Sequence, residues 1–351
     1  MSVTFAQGFS AAGVAAGISA VEGKKDLALV VNNGPLDAAA GVFTSNRFCA
    51  APVQWSRNIV SDGHVKAVIL NSGGANACTG KPGYEQSKAT AEKVASLIGA
   101  KAEDVAVCST GLIGELLPLD NVLSGADKAF ETLADTAEAG ADASHAIMTT
   151  DTKPKTVELE GSNGFRIGGM VKGSGMIAPQ LATMLCVITT DAVVTAGQLQ
   201  AALNAGVEMS FNRIDVDGCM STNDTVLLLA SGASGIEPEP DEFNELVAKP
   251  PPRSPARSSA TAKAQAMTSV SKLPARPPKK PLWHAAARSQ RPICSNAPSP
   301  ATIRTGAASS APSAPCRPTS HHTIPKRSRW TSTAYASAKT AEPDATAPKW
   351  T

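Results

Sequence analysis

Lys172-Gly-Ser-Gly-Met-Ile-Ala-Pro-Gln-Leu-Ala-Thr183-Met-Leu185 is the stretch on which the reading of this chain turns. A lysine stands ahead of two glycines, and a small residue directly precedes a threonine. The threonine opens an apolar run, Met184 to Ile188, with the composition of a buried strand. A hydroxyl at the lip of a strand, behind a glycine turn, is placed for nucleophilic work. Threonine needs a base for that. One solution cuts the chain ahead of the threonine and uses its own freed α-amine. That amine has an unperturbed pKa of about 7.7–8.0 and is partly neutral near pH 7.

On either side of this stretch the chain alternates between two periodicities. Asp26–Val31, Ala40–Thr44, Val65–Leu70 and Val105–Cys108 are short β-rich runs bounded by Gly, Asn or Ser, and predict strands. Tyr84–Ile98 and Leu119–Leu133 carry apolar residues at helical spacing. Val157–Glu160 and Phe165–Met170 predict a hairpin over Gly161-Ser-Asn-Gly164. Thr183–Thr190, Ala196–Met209 and Thr225–Ala230 continue as strand, helix and strand. Glu239–Ala248 starts a helix that runs into Pro250-Pro-Pro252, where proline stops it. The expected class is α/β, with layered sheets and helices and no Gly-rich phosphate loop.

Charge divides the chain sharply. Residues 1–248 hold 15 Lys+Arg and 28 Asp+Glu, a balance of −13, whereas residues 249–351 hold 17 and 2, a balance of +15. The tail also has 17 of the 25 prolines and 1 of the 28 glycines. With few large apolar residues it cannot bury enough surface to fold, so disorder is expected there. The seven cysteines include no Cys-x-x-Cys pair, which argues against a disulfide frame or a zinc site. Most of those before residue 248 sit in apolar or glycine-rich stretches and predict buried thiols. Reduced thiols, and the lack of a basic start with an apolar core in residues 1–20, point to a cytoplasmic protein. No apolar run is long enough for a bilayer. Arg276-Pro-Pro-Lys-Lys280 and Lys326-Arg-Ser-Arg329 could touch phosphates, but without a fold motif or stacking platform no nucleic-acid partner is expected.

The segment from Lys172 to Leu185 resembles the self-cleavage segment of the ornithine acetyltransferases, the glutamate N-acetyltransferases of arginine biosynthesis. Five further segments agree in the family's order. They are Leu29-Val-Val-Asn-Asn-Gly34, Asn71-Ser-Gly-Gly-Ala-Asn-Ala-Cys78, Cys108-Ser-Thr-Gly-Leu-Ile-Gly-Glu-Leu-Leu-Pro118, Ala146-Ile-Met-Thr-Thr-Asp-Thr152 and Ser221-Thr-Asn-Asp-Thr225. Each alone is a Gly/Ser/Thr turn beside an apolar run; together they cover roughly residues 5–248.

The resemblance implies a self-cleaving threonine acyltransferase fold, cut between Ala182 and Thr183. Residues 1–182 would be an α-chain, residues 183–248 the start of a β-chain, and the product a dimer of αβ pairs. Thr183 would be the nucleophile, and the Thr110 hydroxyl with the Gly111 N–H would stabilise the oxyanion. Thr149 and Lys172, with Thr183, would bind substrate. The reaction implied is acetyl transfer from N-acetylornithine to glutamate, with acetyl-CoA as a further donor in bifunctional members. No cofactor and no metal are implied. Arg213-Ile-Asp-Val-Asp-Gly218 lacks the further ligands a calcium loop needs, though it offers Asp215 and Asp217. Asp151 reads as a turn or cap residue. Cys219-Met220 departs from the polar pair usual in the family. A self-processing amidase or aminopeptidase using the same threonine is the alternative from another reaction class.

Beyond residue 248 the resemblance stops in this reading frame but continues in another. Taken from each codon's third letter, with permissible free letters, Ile293–Ala307 gives Leu-Phe-Lys-Cys-Ala-Ile-Ser-Gly-Asn-Asp-Pro-Asn-Trp-Gly, a hallmark of the same family. Arg257–Thr268 similarly yields an Asp-Gly-Glu-Gly segment. Both point to one nucleotide missing near codons 247–250. As written, the position of the family's acidic ligand for the substrate amine is Lys263, and the last family ligands are absent. The 351-residue chain is therefore expected to be an inactive frameshift product.

Overall fold

Three runs with every residue buried, Leu27–Asn32, Ala67–Asn71 and Val105–Ser109, form β2, β4 and β5. Continuous burial along a strand requires cover on both faces, which places these runs inside the molecule. The computed structural model, which describes residues 2–173, 184–213 and 218–248, adds β1, Phe9–Val14, to give the order β1-β2-β4-β5. The β4–β5 pair is parallel and the others antiparallel. A second sheet lines up β3 (Ala38–Phe43), β9 (Thr225–Ala230), β8 (Leu185–Thr190), β7 (Arg166–Lys172) and β6 (Lys155–Glu160), in that spatial order. Here β8 and β9 run parallel and the other pairs antiparallel.

The sheets face each other. Val30, Val68 and Cys108 of the first share one buried cluster with Met170, Leu185, Val187, Leu227 and Leu229 of the second. Helices α2 (Gly80–Ile98), α3 (Leu119–Glu131) and α4 (Ala137–Ala146) pack on the first sheet. Helices α5 (Ala196–Met209) and α6 (Pro240–Ala248) cover the second through Leu199, Leu203, Phe243 and Leu246. The layers therefore run helix, sheet, sheet, helix. Helix α1 (Ala51–Ile59) closes the β5 edge. Ser56 Oγ donates to the Val107 carbonyl at 2.7 Å and accepts from its N–H at 2.8 Å, while Trp55 Nε1 donates to the Val105 carbonyl. An edge strand's spare backbone groups are thus met by side chains.

The expected α/β class is observed, and so is the hairpin, with Gly161 N–H bonded to the Phe165 carbonyl across its turn. Helix α5 starts where expected, at a capping box of Thr195 and Gln198. Three elements were not expected: β1, α1 and α4. Helix α2 begins at Gly80 rather than Tyr84, because Pro82 falls in the first turn, where no intrahelical N–H is needed. Cys108 and Cys186 are buried as expected. Cys78 and Cys219 are exposed, because their glycine-rich stretches are surface loops rather than core. Sheet two draws β3, β6 and β7 from before residue 182 and β8 and β9 from after it, so the two proposed chains share one core. The tail 249–351 lies outside the described residues. Among the described residues no helix is long and apolar enough to cross a membrane.

Candidate active site

The last residue of β7 is Lys172. It shares a face with Met170, two residues back, and that face is turned towards the first sheet. Its side chain is therefore carried into the space between the sheets, where it is 1% exposed. There Nζ donates to Thr110 Oγ1 at 2.9 Å. Thr110 directly follows β5, so this one bond joins the two sheets at the end where β5 and β7 finish and β8 and β9 begin. A buried ammonium is costly unless paired. Burial pushes the Lys172 pKa down to about 8. The carboxylates of Asp151 and Asp224 oppose the shift, and the charges of Lys155 and Lys24 add to it.

Thr110 Oγ1 spends a lone pair on Lys172, which leaves its O–H hydrogen to donate elsewhere. The next residue, Gly111, has φ +138°, and a Cβ there would lie 2.7 Å from the Gly74 nitrogen, so only glycine fits. The loop is fixed by Thr110 N–H to the Asn71 carbonyl, Ala75 N–H to the Leu112 carbonyl and Gly114 N–H to the Ala77 carbonyl. The Gly111 N–H is not among these bonds.

Asp151 organises the next layer. Its Oδ1 accepts from Gly173 N–H at 2.8 Å and from Lys155 Nζ, and its Oδ2 from Thr149 N–H at 3.4 Å. Lys155 Nζ also donates to the Gly173 carbonyl at 3.0 Å. Both backbone groups of Gly173 are thereby held by one ion pair. Burial alone would raise the Asp151 pKa, but Lys155, the Gly173 N–H and the Lys172 charge together lower it. The pair is structural as well as local. Asp151→Ala strands Lys155, which is 18% exposed, and is expected to cost about 3 kcal/mol in urea unfolding.

Ala182 and Thr183 lie outside the described residues, as do Asp215 and Asp217. Both flanks of residues 174–183 are described. Lys172 and Leu185 are register partners across the β7–β8 pair. Met184, bonded to Thr183, donates its N–H to Asp224 Oδ1 at 2.8 Å. Of the residues expected to act, Thr110, Gly111 and Lys172 come together, and Thr149 joins them through Asp151. Asp151 is a buried hub rather than a turn residue, because three donors converge on it. Sequence reasoning also missed Lys155, Asn223 and Asp224; the last two stood only as letters of a motif. Among the described residues no three His, Cys, Asp or Glu side chains group as a metal site. The chemistry on offer is a hydroxyl backed by an ammonium, beside a loop N–H: a cradle for negative charge on a carbonyl oxygen.

The model of the ArgJ family matches residues 10–250 of this chain. A protein named arginine biosynthesis bifunctional protein ArgJ from Bifidobacterium longum is 87% identical over 247 residues, which are 70% of this chain and 63% of that one. Its namesake from Streptomyces coelicolor is 57% identical over the same shares. The chain thus spans about 63% of the length of these curated relatives. A crystal structure of ornithine acetyltransferase complexed with ornithine, from Mycobacterium tuberculosis, is 50% identical with a TM-score of 0.50. It covers 52% of this chain and 96% of its own.

Proposed function

The chain belongs to the ArgJ family, and from that premise we propose that residues 1–248 carry the catalytic centre of an acetyltransferase. It moves acetyl from N2-acetyl-L-ornithine to L-glutamate through O-acetyl-Thr183. The observation that carries this reading is the buried bond from Lys172 to Thr110 at the strand ends beside Met184.

The centre is made by self-cleavage. Thr183 Oγ attacks the Ala182 carbonyl carbon, the peptide C–N bond breaks and the Oγ proton passes to the departing nitrogen, leaving an ester on Oγ and a free Thr183 amine. Water then hydrolyses the ester, giving Ala182 a carboxylate and Thr183 its hydroxyl. The matched solved chain is covered over 96% by about half of this one, a length in keeping with a separate chain of about 182 residues.

In turnover the neutral Thr183 amine takes the Oγ proton as Oγ attacks the acetyl carbonyl of the donor. The developing oxyanion accepts from the Thr110 O–H and the Gly111 N–H. The tetrahedral species collapses, the ornithine amine leaves with the proton, and the acetyl stays on Oγ. The α-amine of glutamate then attacks that ester through a second oxyanion in the same cradle, the acetyl–Oγ bond breaks, the proton shed by the amine returns to Thr183 Oγ, and N-acetylglutamate leaves. Lys172 fixes the Thr110 oxygen as acceptor, so that its hydrogen points away towards the substrate. Its positive charge also disfavours protonation of the Thr183 amine. Thr149 and Lys172 bind substrate, Lys172 through the amino-acid carboxylate. Acetyl-CoA is a second donor, in keeping with the relatives' bifunctional name.

The test is to trap the intermediate. Acetyl-labelled N-acetylornithine, or labelled acetyl-CoA, is added without glutamate, and the acid-quenched protein is digested. The label is expected on the peptide that begins at Thr183, and glutamate is expected to discharge it as N-acetylglutamate. Release as acetate, with no effect of glutamate, would favour the amidase alternative.

The written tail bears on activity. Family similarity ends near residue 250, where the composition changes. By the family resemblance, Lys263 stands at the sequence position of the acidic ligand for the substrate amine. Adding one nucleotide near codons 247–250 is expected to give an active enzyme, whereas the 351-residue chain is expected to transfer no acetyl. A coupled N-acetylglutamate assay on both separates them, and transfer by the written chain would refute the frame argument.

A further inference from the structure

Adjacent side chains of the Ser221–Thr225 segment reach in different directions, to the two halves of the site. Asn223 Nδ2 donates to the Ser109 carbonyl at 2.8 Å and to the Ala75 carbonyl at 2.6 Å. Ser109 is the residue before Thr110, and Ala75 adjoins Gly74, the residue against which Gly111 is pressed. Asp224 Oδ1 holds the N–H of Met184, the residue after Thr183. The segment is itself fixed. Thr44 Oγ1 donates to the Ser221 carbonyl at 2.7 Å, Thr44 N–H to the Asp224 carbonyl at 2.9 Å, and Thr222 Oγ1 to Asn223 Oδ1 at 2.6 Å. Asn223 is 6% exposed and Asp224 is fully buried.

Oxyanion stabilisation demands that the donors meet the place where charge develops, and errors of about 1 Å in such alignment cost on the order of a hundredfold. Thr110 and Gly111 directly follow β5 of the first sheet, and Met184, the residue after Thr183 in sequence, leads into β8 of the second. Nothing in either sheet's own hydrogen-bond ladder sets one against the other. We propose that Asn223 and Asp224 are positioning residues that hold the oxyanion segment in register with Met184 and the start of β8, the segment that directly follows the nucleophile in sequence. The proposal rests on Thr183 being the nucleophile. Neither side chain needs to touch substrate. Asn223 acts through the Ser109 and Ala75 carbonyls, and Asp224 through the Met184 N–H.

The test uses full-length Asn223→Ala, Asp224→Ala and Asp224→Asn, the last keeping an acceptor for Met184. Hydrogen exchange is followed by mass on the 351-residue chain, and self-cleavage is timed in the frame-restored chain. Asn223→Ala is expected to speed exchange in peptides holding residues 75–77 and 110–114. Asp224→Ala is expected to speed it at Met184, by about tenfold or more in each case. Asp224→Asn is expected to stay within about threefold of the parent at Met184, and β1–β2 is expected to be unchanged in all three. Cleavage is expected to slow by about a hundredfold in both alanine variants and to recover in Asp224→Asn. Parent-like cleavage in the alanine variants, or loosening spread over the whole fold, overturns the proposal. If the parent itself does not cleave, the nucleophile reading fails and exchange alone decides. Local loosening keeps the register claim, and its absence removes it.

Discussion

Thr183→Ala in the frame-restored chain is expected to remain a single polypeptide and to transfer acetyl on the order of a millionfold more slowly than the parent, the scale of loss when a covalent nucleophile is removed. The size follows from the double use of one hydroxyl. Without Oγ no ester forms with Ala182, so the chain is not cut and no α-amine is freed. Even a chain supplied already cut would have no atom on which to carry acetyl. Thr183→Ser separates the two demands, since it keeps an oxygen and an amine. It is expected to cleave and transfer measurably, with both rates reduced. Intact mass and single-turnover labelling check each arm. Acetyl transfer by Thr183→Ala would move the chemistry to another residue.

Lys172→Met is expected to do two opposite things. Transfer should fall roughly a hundred- to a thousandfold, because the Thr110 hydroxyl loses the donor that orients it and the oxyanion loses that support. Stability at pH 7 should rise. The Lys172 pKa lies at about 8, below its ordinary 10.5, so the folded protein bears the cost of a buried charge at neutral pH. A shift of this size corresponds to about 3 kcal/mol. For a lysine depressed in the folded state, the unfolded chain binds more protons between the two pKa values. Stability therefore rises as pH climbs from about 8 to 10.5, and the burden is fully present below 8. Urea unfolding of parent and variant at pH 7 and pH 10 should show the gap between them closing. A residue whose removal strengthens the fold while disabling the reaction is held there for the reaction. Parallel loss of both would make Lys172 a structural residue.

Strands β2, β4, β5 and β9 were legible because unbroken β-rich runs have few other uses in a chain of this composition. Strand β1 was not, since Phe9-Ser-Ala-Ala-Gly-Val14 lacks bulk. The reason is visible in the packing. The backbone of α4 lies so close to β1 that a Cβ on Gly13 would fall 2.1 Å from the Asp142 carbonyl oxygen. Helix α4 escaped for the complementary reason, as its buried face is Ala139, Gly140, Ala143, Ser144 and Ala146, too small to make an apolar stripe. Helix α1 is nine residues with a proline at its start, too short for a helical apolar period to stand out.

At the site, Thr110, Gly111, Thr149 and Lys172 were named through the resemblance. The bond between Lys172 and Thr110 joins residues 62 apart on different sheets, and no spacing rule reaches that far. Asp151 looked like a cap because its local surroundings are Thr-rich. Its partners Lys155 and Gly173 come from β6 and the end of β7, and only the hairpin brings them to it.

The central claim is that Thr183 becomes a chain terminus and then the acetyl carrier. It is tested most directly by the intact mass of the purified, denatured product of the frame-restored gene. Two fragments divided between Ala182 and Thr183 are the expected result. A single uncut chain of full mass would contradict it and leave only the family assigned.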